Sequence, residues 1–159
     1  MRKVTAMKIR IVQEKLCDKF GLTSGIVFQH WEEIARNKHI MVLNPDIERY
    51  QAIEDAGALL ALFAYDGDEI IGYSVTVVSA HLHYINLGMA QNDVLYLLPR
   101  YRGASGVGIR LIRETERVAR TLGADLMVWH AKDKSSLADI LPRMGYQVQD
   151  ILFSKELTL

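Results

Sequence analysis

A mixed α/β domain built on one central sheet flanked by helices is predicted from three observations. The chain has 159 residues, half of them apolar, which suits one ordinary domain with a continuous core. Short apolar, β-branched runs are separated by tight-turn residues, and amphipathic stretches at helical spacing lie before and after them. No internal repeat, linker or low-complexity segment divides the chain, so a single domain over residues 1–159 is expected.

Residues 7 to 13, Met-Lys-Ile-Arg-Ile-Val-Gln, alternate apolar and polar side chains and predict the first strand. Thr23 or Ser24 is suited to cap a helix running to about Asn37, because Ile26, Val27, Trp31 and Ile34 recur at helical spacing. A second helix is expected after Asn44-Pro45-Asp46, ending near Gly57. The runs from Ala58 to Tyr65 and from Glu69 to Ala80 flank Asp66-Gly67-Asp68 and predict a hairpin. His81 to Ala90 reads as an irregular connection, and Asp93 to Leu98 as a strand stopped by Pro99. A long helix then starts in a glycine-rich segment, runs to about Leu122 and is closed by Gly123. Leu126 to Trp129 form a short strand and Ser135 to Met144 a short helix ending at Gly145. Tyr146 to Leu157 return to strand character.

Charge and composition narrow the function. The 19 basic and 19 acidic residues cancel, which argues against broad attraction to nucleic acid or an anionic membrane. The opening segment lacks the apolar region of a secretion signal, and no run reaches the roughly 18 apolar residues that span a bilayer, so a cytoplasmic protein is expected. Cys17 is the only cysteine, which excludes an intrachain disulfide and a zinc site built on several thiolates. Beside Leu16 and Phe20 it reads as a packing residue.

The chemistry concentrates between Asp93 and Ile112, where a glycine-rich turn joins an apolar strand to the long helix. Gly103, Gly106 and Gly108 let the backbone approach a ligand closely, and the amides and dipole at the helix start favour a phosphate group. A tight turn made only for packing is the alternative. The P-loop pattern is absent, and the turn lies too late in the chain for a first-strand dinucleotide fingerprint.

Leu97-Leu-Pro-Arg-Tyr-Arg-Gly103 followed by Gly106-Val-Gly108 closely resembles the acetyl-CoA signature of the GNAT superfamily of acyl-CoA N-acyltransferases, Val-x-Pro-x-Tyr-Arg-Gly-x-Gly-x-Gly. The segment from Ala131 to Leu157 resembles the superfamily's C-terminal half. His30-Trp-Glu-Glu33, Asn44-Pro-Asp46 with Tyr50, His81-Leu-His-Tyr84, Asp93 and His130 are similar to a subset encoded by phages and prophages. The resemblance implies a GNAT-like fold and direct transfer of an acyl group, acetyl by default, from acetyl-CoA (CoA) to a primary amine. It implies pantetheine contacts from the backbone of Leu95 and Leu97, and pyrophosphate contacts from the amides of Arg102, Gly103, Ala104, Ser105, Gly106, Val107 and Gly108. A homodimer is a further implication. Two departures stand out: the loop carries one extra residue after Arg102, and Leu141 occupies the position of the usual general-acid Tyr.

Attack by an amine requires that a proton leave it, and Asp93, Glu33, His81, His83 and His130 are candidates to receive it. Strand alternation places Asp93 on the face of Leu95 and Leu97. His81 and His83 share one side of an extended segment and could converge on the acceptor, or with His30 or Glu33 on a metal; acceptor binding is preferred and no metal is expected. Trp31, Met41 and Tyr50 either line an acceptor pocket or pack the core. The acceptor, small molecule or protein, is not identified by the sequence. A GNAT-like binding protein without turnover is the competing reading, motivated by Leu141 and the lengthened loop.

Overall fold

The structure, a computed structural model, describes residues 8–103 and 105–157. Its elements are β1 (Ile9–Gln13), α1 (Phe20–Ile34), α2 (Ile47–Asp55), β2 (Leu59–Asp66), β3 (Glu69–Ala80), β4 (Gly88–Leu97), α3 (Val107–Thr121), β5 (Leu126–Val128) and α4 (Ser136–Ile140). The sheet runs β1-β2-β3-β4-β5, antiparallel through β4 and parallel between β4 and β5. The expected mixed α/β architecture is the one observed.

β2 is buried almost throughout because both its faces are covered. Ala61 and Phe63 pack with Ile26 of α1 and Ile53 of α2, whereas Leu60 and Leu62 pack with Leu111, Val118 and Ala119 of α3. Alternation along one strand therefore divides the core into two layers, and each fully buried Leu or Phe contributes about 2 kcal/mol. The hairpin turn closes at the Asp66–Glu69 pair, with Gly67 in the left-handed region at φ 60°. Gly123, at φ 91°, ends α3 so that the Ala124 amide donates back to the Ala119 carbonyl.

Several boundaries differ from the expectation. α1 begins at Phe20, fed directly by a 3-10 turn at Cys17–Lys19, so Thr23 lies inside the helix, where its hydroxyl donates to the Lys19 carbonyl at 2.9 Å. Asp46 caps α2, accepting from the Arg49 amide at 3.0 Å. The irregular connection shrinks to residues 81–87, because β4 already pairs with β3 at Ala80 and Gly88. Residues 146–157 form no strand: the segment lacks a paired edge in this chain, and strand propensity alone does not make a ladder. Val148, Ile151, Leu152, Phe153 and Leu157 remain exposed.

One irregularity positions the site. Val75 pairs with Val94 and Thr76 with Asn92, so Asp93 is an extra residue bulged out of β4. This overturns the alternation argument that grouped Asp93 with Leu95. Leu95 packs on the α3 side, while the Asp93 carboxylate accepts from the Tyr50 hydroxyl of α2. Among the described residues, no helix is long and apolar enough to cross a membrane.

Candidate functional site

β4 and β5 pair only from Met89 with Leu126 to Gln91 with Val128, and then part. Asn92, buried at 4% exposure, spans the point of parting: its side-chain oxygen accepts from the His130 amide, and its side-chain nitrogen donates to the His130 carbonyl at 3.4 Å. The carboxamide thus substitutes for one backbone rung and holds the strands at a fixed divergence. Beyond it, residues 93–97 of β4 have β3 along one edge and, among the described residues, an unpaired edge, or notch, along the other.

The glycine loop closes one end of this notch. Gly103 and Gly106 have φ values of 81° and 65°, and a Cβ at either would meet no atom within 4 Å, so open space lies above both. The first i→i−4 bond of α3 runs from the Arg110 amide to the Gly106 carbonyl, which leaves the amides of Val107, Gly108 and Ile109 ahead of the helical ladder. Three amides predicted to hold pyrophosphate are engaged in the turn itself: Arg102 donates to the Pro99 carbonyl, Gly106 to the Gly103 carbonyl and Val107, at 3.5 Å, to the Ser105 hydroxyl. The Ser105 hydroxyl donates to the Tyr101 carbonyl. Ala104 lies outside the described residues. No acidic side chain occurs from Leu98 to Ile109, and the first turn of α3 is likewise free of acids. With this donor set beside an open notch, the residues present fit the diphosphate and pantetheine arm of acetyl-CoA.

Glu33 and Arg102 meet as a two-pronged pair, at 2.6 and 2.9 Å, and the Tyr96 hydroxyl adds a bond to Glu33 at 3.0 Å. The Arg102 Nε also donates to the Leu97 carbonyl at 2.7 Å, so this carbonyl, a sequence-predicted cofactor contact, already has a partner. The Arg102 guanidinium holds the Glu33 carboxyl below the usual carboxylate range. Glu33 is therefore a poor proton acceptor, and the pair ties the loop to the last turn of α1.

On the other side of β4 lies a cavity of about 390 Å³ between α1, the α1–α2 connection and the sheet. Trp31, Met41 and Tyr50 all line it, and Tyr50 also packs against the core. His30, 6% exposed, also lines it; its Nδ1 is 2.7 Å from the Tyr73 hydroxyl and its ring stacks on Tyr96 at 4.5 Å. Burial pushes the His30 imidazole down to about 4, so it is neutral near pH 7, and burial pushes the Tyr73 phenol up. Burial and the bond to Asp93 likewise raise Tyr50.

His81 and His83 are not brought to this place. They occupy the β3–β4 turn, where His81 Nδ1 accepts from the His83 amide at 3.1 Å and its ring lies against Tyr84. At about 3.3 Å per residue, five residues of β3 separate His81's end of the strand from Val75 at the pocket by roughly 16 Å. The residues of the metal alternative are not brought together either: among the described residues no group of three or more His, Cys, Asp or Glu side chains converges. Cys17 is pushed up to about 11 by burial and by Glu54, which keeps it a thiol. Leu141 is buried and carries no proton to give.

No protein-family model matches the sequence, and no curated protein matches it. Solved structures do. An aminoglycoside acetyltransferase from an uncultured soil metagenomic sample, in complex with sisomicin, superposes with a TM-score of 0.71 at 17% identity over 94% of this chain and 97% of that one. A ribosomal-protein-alanine N-acetyltransferase from Brucella melitensis biovar Abortus 2308 gives 0.66 at 16% identity over 95% and 98%. An aminoglycoside N-acetyltransferase in complex with CoA gives 0.66 at 15% identity over 94% and 100%. The fold is GNAT-like. Within this GNAT-like fold the sequence reading did not single out Asn92, Tyr73 or Tyr96, and it named His30 without its partner Tyr73. An apolar strand containing one Asn, or a helix containing one His, carries no local signal of the partner that tertiary packing supplies.

Proposed function

We propose that the protein transfers the acetyl group of acetyl-CoA to a primary amine by direct attack. The reading is carried by one conjunction: the strand parting held by Asn92, the bulge that turns Asp93 out of β4, and the open glycine loop before α3 all border the same stretch of β4. When bound, acetyl-CoA supplies an activated thioester. The amides of Gly108 and Ile109, with those of Gly103 and Ser105, bind its diphosphate, and the β4 backbone around Leu95 holds the pantetheine in the notch. Asp93, oriented by the Tyr50 hydroxyl, takes a proton from the amine directly or through water as the N–C bond forms and the C–S bond breaks. Protonation of the departing thiolate falls to solvent, since Leu141 brings no phenol. His81 and His83 have no role in this scheme.

The proposal extends to a single domain over residues 1–159 located in the cytoplasm, without nucleic acid or membrane as partner, on the strength of the neutral net charge. It includes a homodimer, supported by the exposed apolar side chains of 148–157, and kinship with the phage and prophage subset, supported by the His30, Asn44, His81 and Asp93 motifs. Calorimetric titration with acetyl-CoA and with CoA tests the cofactor site, and thiol release across a panel of amines tests turnover. Failure of a folded sample to bind either nucleotide overturns the proposal. The second reading, a binding protein, is favoured by Leu141; saturable CoA binding with no thiol release from any amine would establish it instead.

A further inference from the structure

The cavity beside the β4 bulge differs in chemistry from a site for a polycation. Its walls are mostly apolar, from Phe20, Val27, Trp31, Met41 and Leu43 to Val94, and among the described residues no Asp or Glu lines it. Among the same residues the charged one on its lining is Lys132, which is exposed. Its phenols and imidazole are satisfied within the protein: the Tyr50 hydroxyl donates to Asp93, and the Tyr73 hydroxyl bonds to a neutral His30. Outside the lining, Glu33 is engaged by both guanidinium prongs of Arg102, Glu54 accepts from the Leu16 amide and Asp46 caps α2.

A ligand with several ammonium groups would lose hydration here with no carboxylate to replace it, and would meet Lys132. One nitrogen has a partner, since Asp93 adjoins Val94 and is bonded to Tyr50, both of which line the cavity. A hydrocarbon or aromatic body has the whole wall, and the volume of about 390 Å³ falls in the range that holds a small molecule.

Resting on the acetyltransfer reading, we propose that the acceptor is an apolar monoamine, with its aliphatic or aromatic body in this cavity and its single nitrogen at Asp93. Polyamines and aminoglycosides are excluded as efficient acceptors. A long acyl chain carried by CoA is the other occupant of apolar character, and the test separates it.

The test measures binding and rate on the intact protein. Calorimetry with saturating CoA present compares 2-phenylethylamine and 3-methylbutylamine with spermidine and kanamycin, and initial thiol release gives kcat/KM for the same four. The apolar amines are expected to bind and to exceed the polycations by about tenfold or more in kcat/KM, the minimum difference that charge burial without a partner implies. Val42→Asp places an acid on the lining at a position 71% exposed, where folding tolerates it. It is expected to lower kcat/KM for 2-phenylethylamine and raise it for spermidine, with CoA affinity unchanged. Preference for spermidine or kanamycin in the wild type overturns the proposal while leaving acetyltransfer standing. So does tighter binding of hexanoyl-CoA than of acetyl-CoA combined with no calorimetric response to either apolar amine. Loss of CoA binding in a folded wild-type sample overturns both.

Discussion

Asp93 receives its hydrogen bond from a phenol that burial keeps protonated, so Tyr50 stays a donor and the carboxylate stays an acceptor. Replacing Asp93 with Asn removes the proton acceptor but keeps the shape. The expected result is a fall of about a hundredfold or more in kcat/KM with CoA affinity nearly unchanged, as for the loss of a general base. A wild-type rate in this variant would remove Asp93 from the mechanism. His30 makes a prediction about stability. Its folded pKa, about 4, lies below the ordinary 6.5, so between these values the unfolded chain takes up a proton that the folded one refuses. Stability is full above pH 6.5 and declines as pH falls toward 4, by about 3 kcal/mol in total. Urea unfolding at pH 7 and pH 5 measures the loss, and His30→Gln should flatten it. Glu33 acts lower: its pKa is depressed by Arg102, so its stabilisation is present above the ordinary carboxylate value and lost only as pH drops through the folded one.

At the scale of elements, the glycine loop and the first turn of α3 form one device. Gly106 has a positive φ with open space around it, whereas a Cβ on Gly108 would sit in ordinary contact with the Leu97 side chain at 3.7 Å. A bulky residue at either position should weaken CoA binding by obstructing the approach to the amides, but the two differ in their effect on folding. Gly106→Val should also cost about 1–2 kcal/mol of stability for the left-handed backbone, while Gly108→Ala should leave stability nearly unchanged. Thermal melts and CoA titrations of both variants check this; equal CoA affinity to wild type in a folded Gly106→Val protein would remove the loop from the cofactor site. The loop's open, positive-φ backbone was legible because glycine spacing is local. The bulge at Asp93 was not, because a bulge is a mismatch between two strands and is written in neither of them alone. The same holds for Glu33: its position on α1 was readable, but its engagement by Arg102, 69 residues later, was not.

Over the whole molecule, the segment 146–157 is tied to the domain by polar contacts, Tyr146 to Glu116 and Glu156 to His39, while Val148, Ile151, Leu152, Phe153 and Leu157 stay exposed. Exposed Ile151, Leu152 and Phe153 are contiguous, and the proposed homodimer gives them a place to be buried. Light scattering is expected to report twice the chain mass of 18.0 kDa, and Phe153→Asp combined with Leu152→Asp to shift it to the monomer without loss of secondary structure. A wild-type monomer at tens of micromolar would refute the dimer. The two-layer core of β2 does not depend on the arm, so the double variant should melt cooperatively.

What the sequence determined by itself was the set of elements through α4, the hairpin at Gly67 and the glycine-rich turn before α3, because periodicity, turn chemistry and glycine placement act over a few residues. Tertiary structure alone decided that β4 and β5 part at Asn92, that Asp93 turns toward Tyr50 and away from Leu95, that His81 and His83 stand far from the pocket, and that 146–157 makes no strand. Each of these depends on which distant groups face one another, and strand register and edge pairing are set by the assembled sheet.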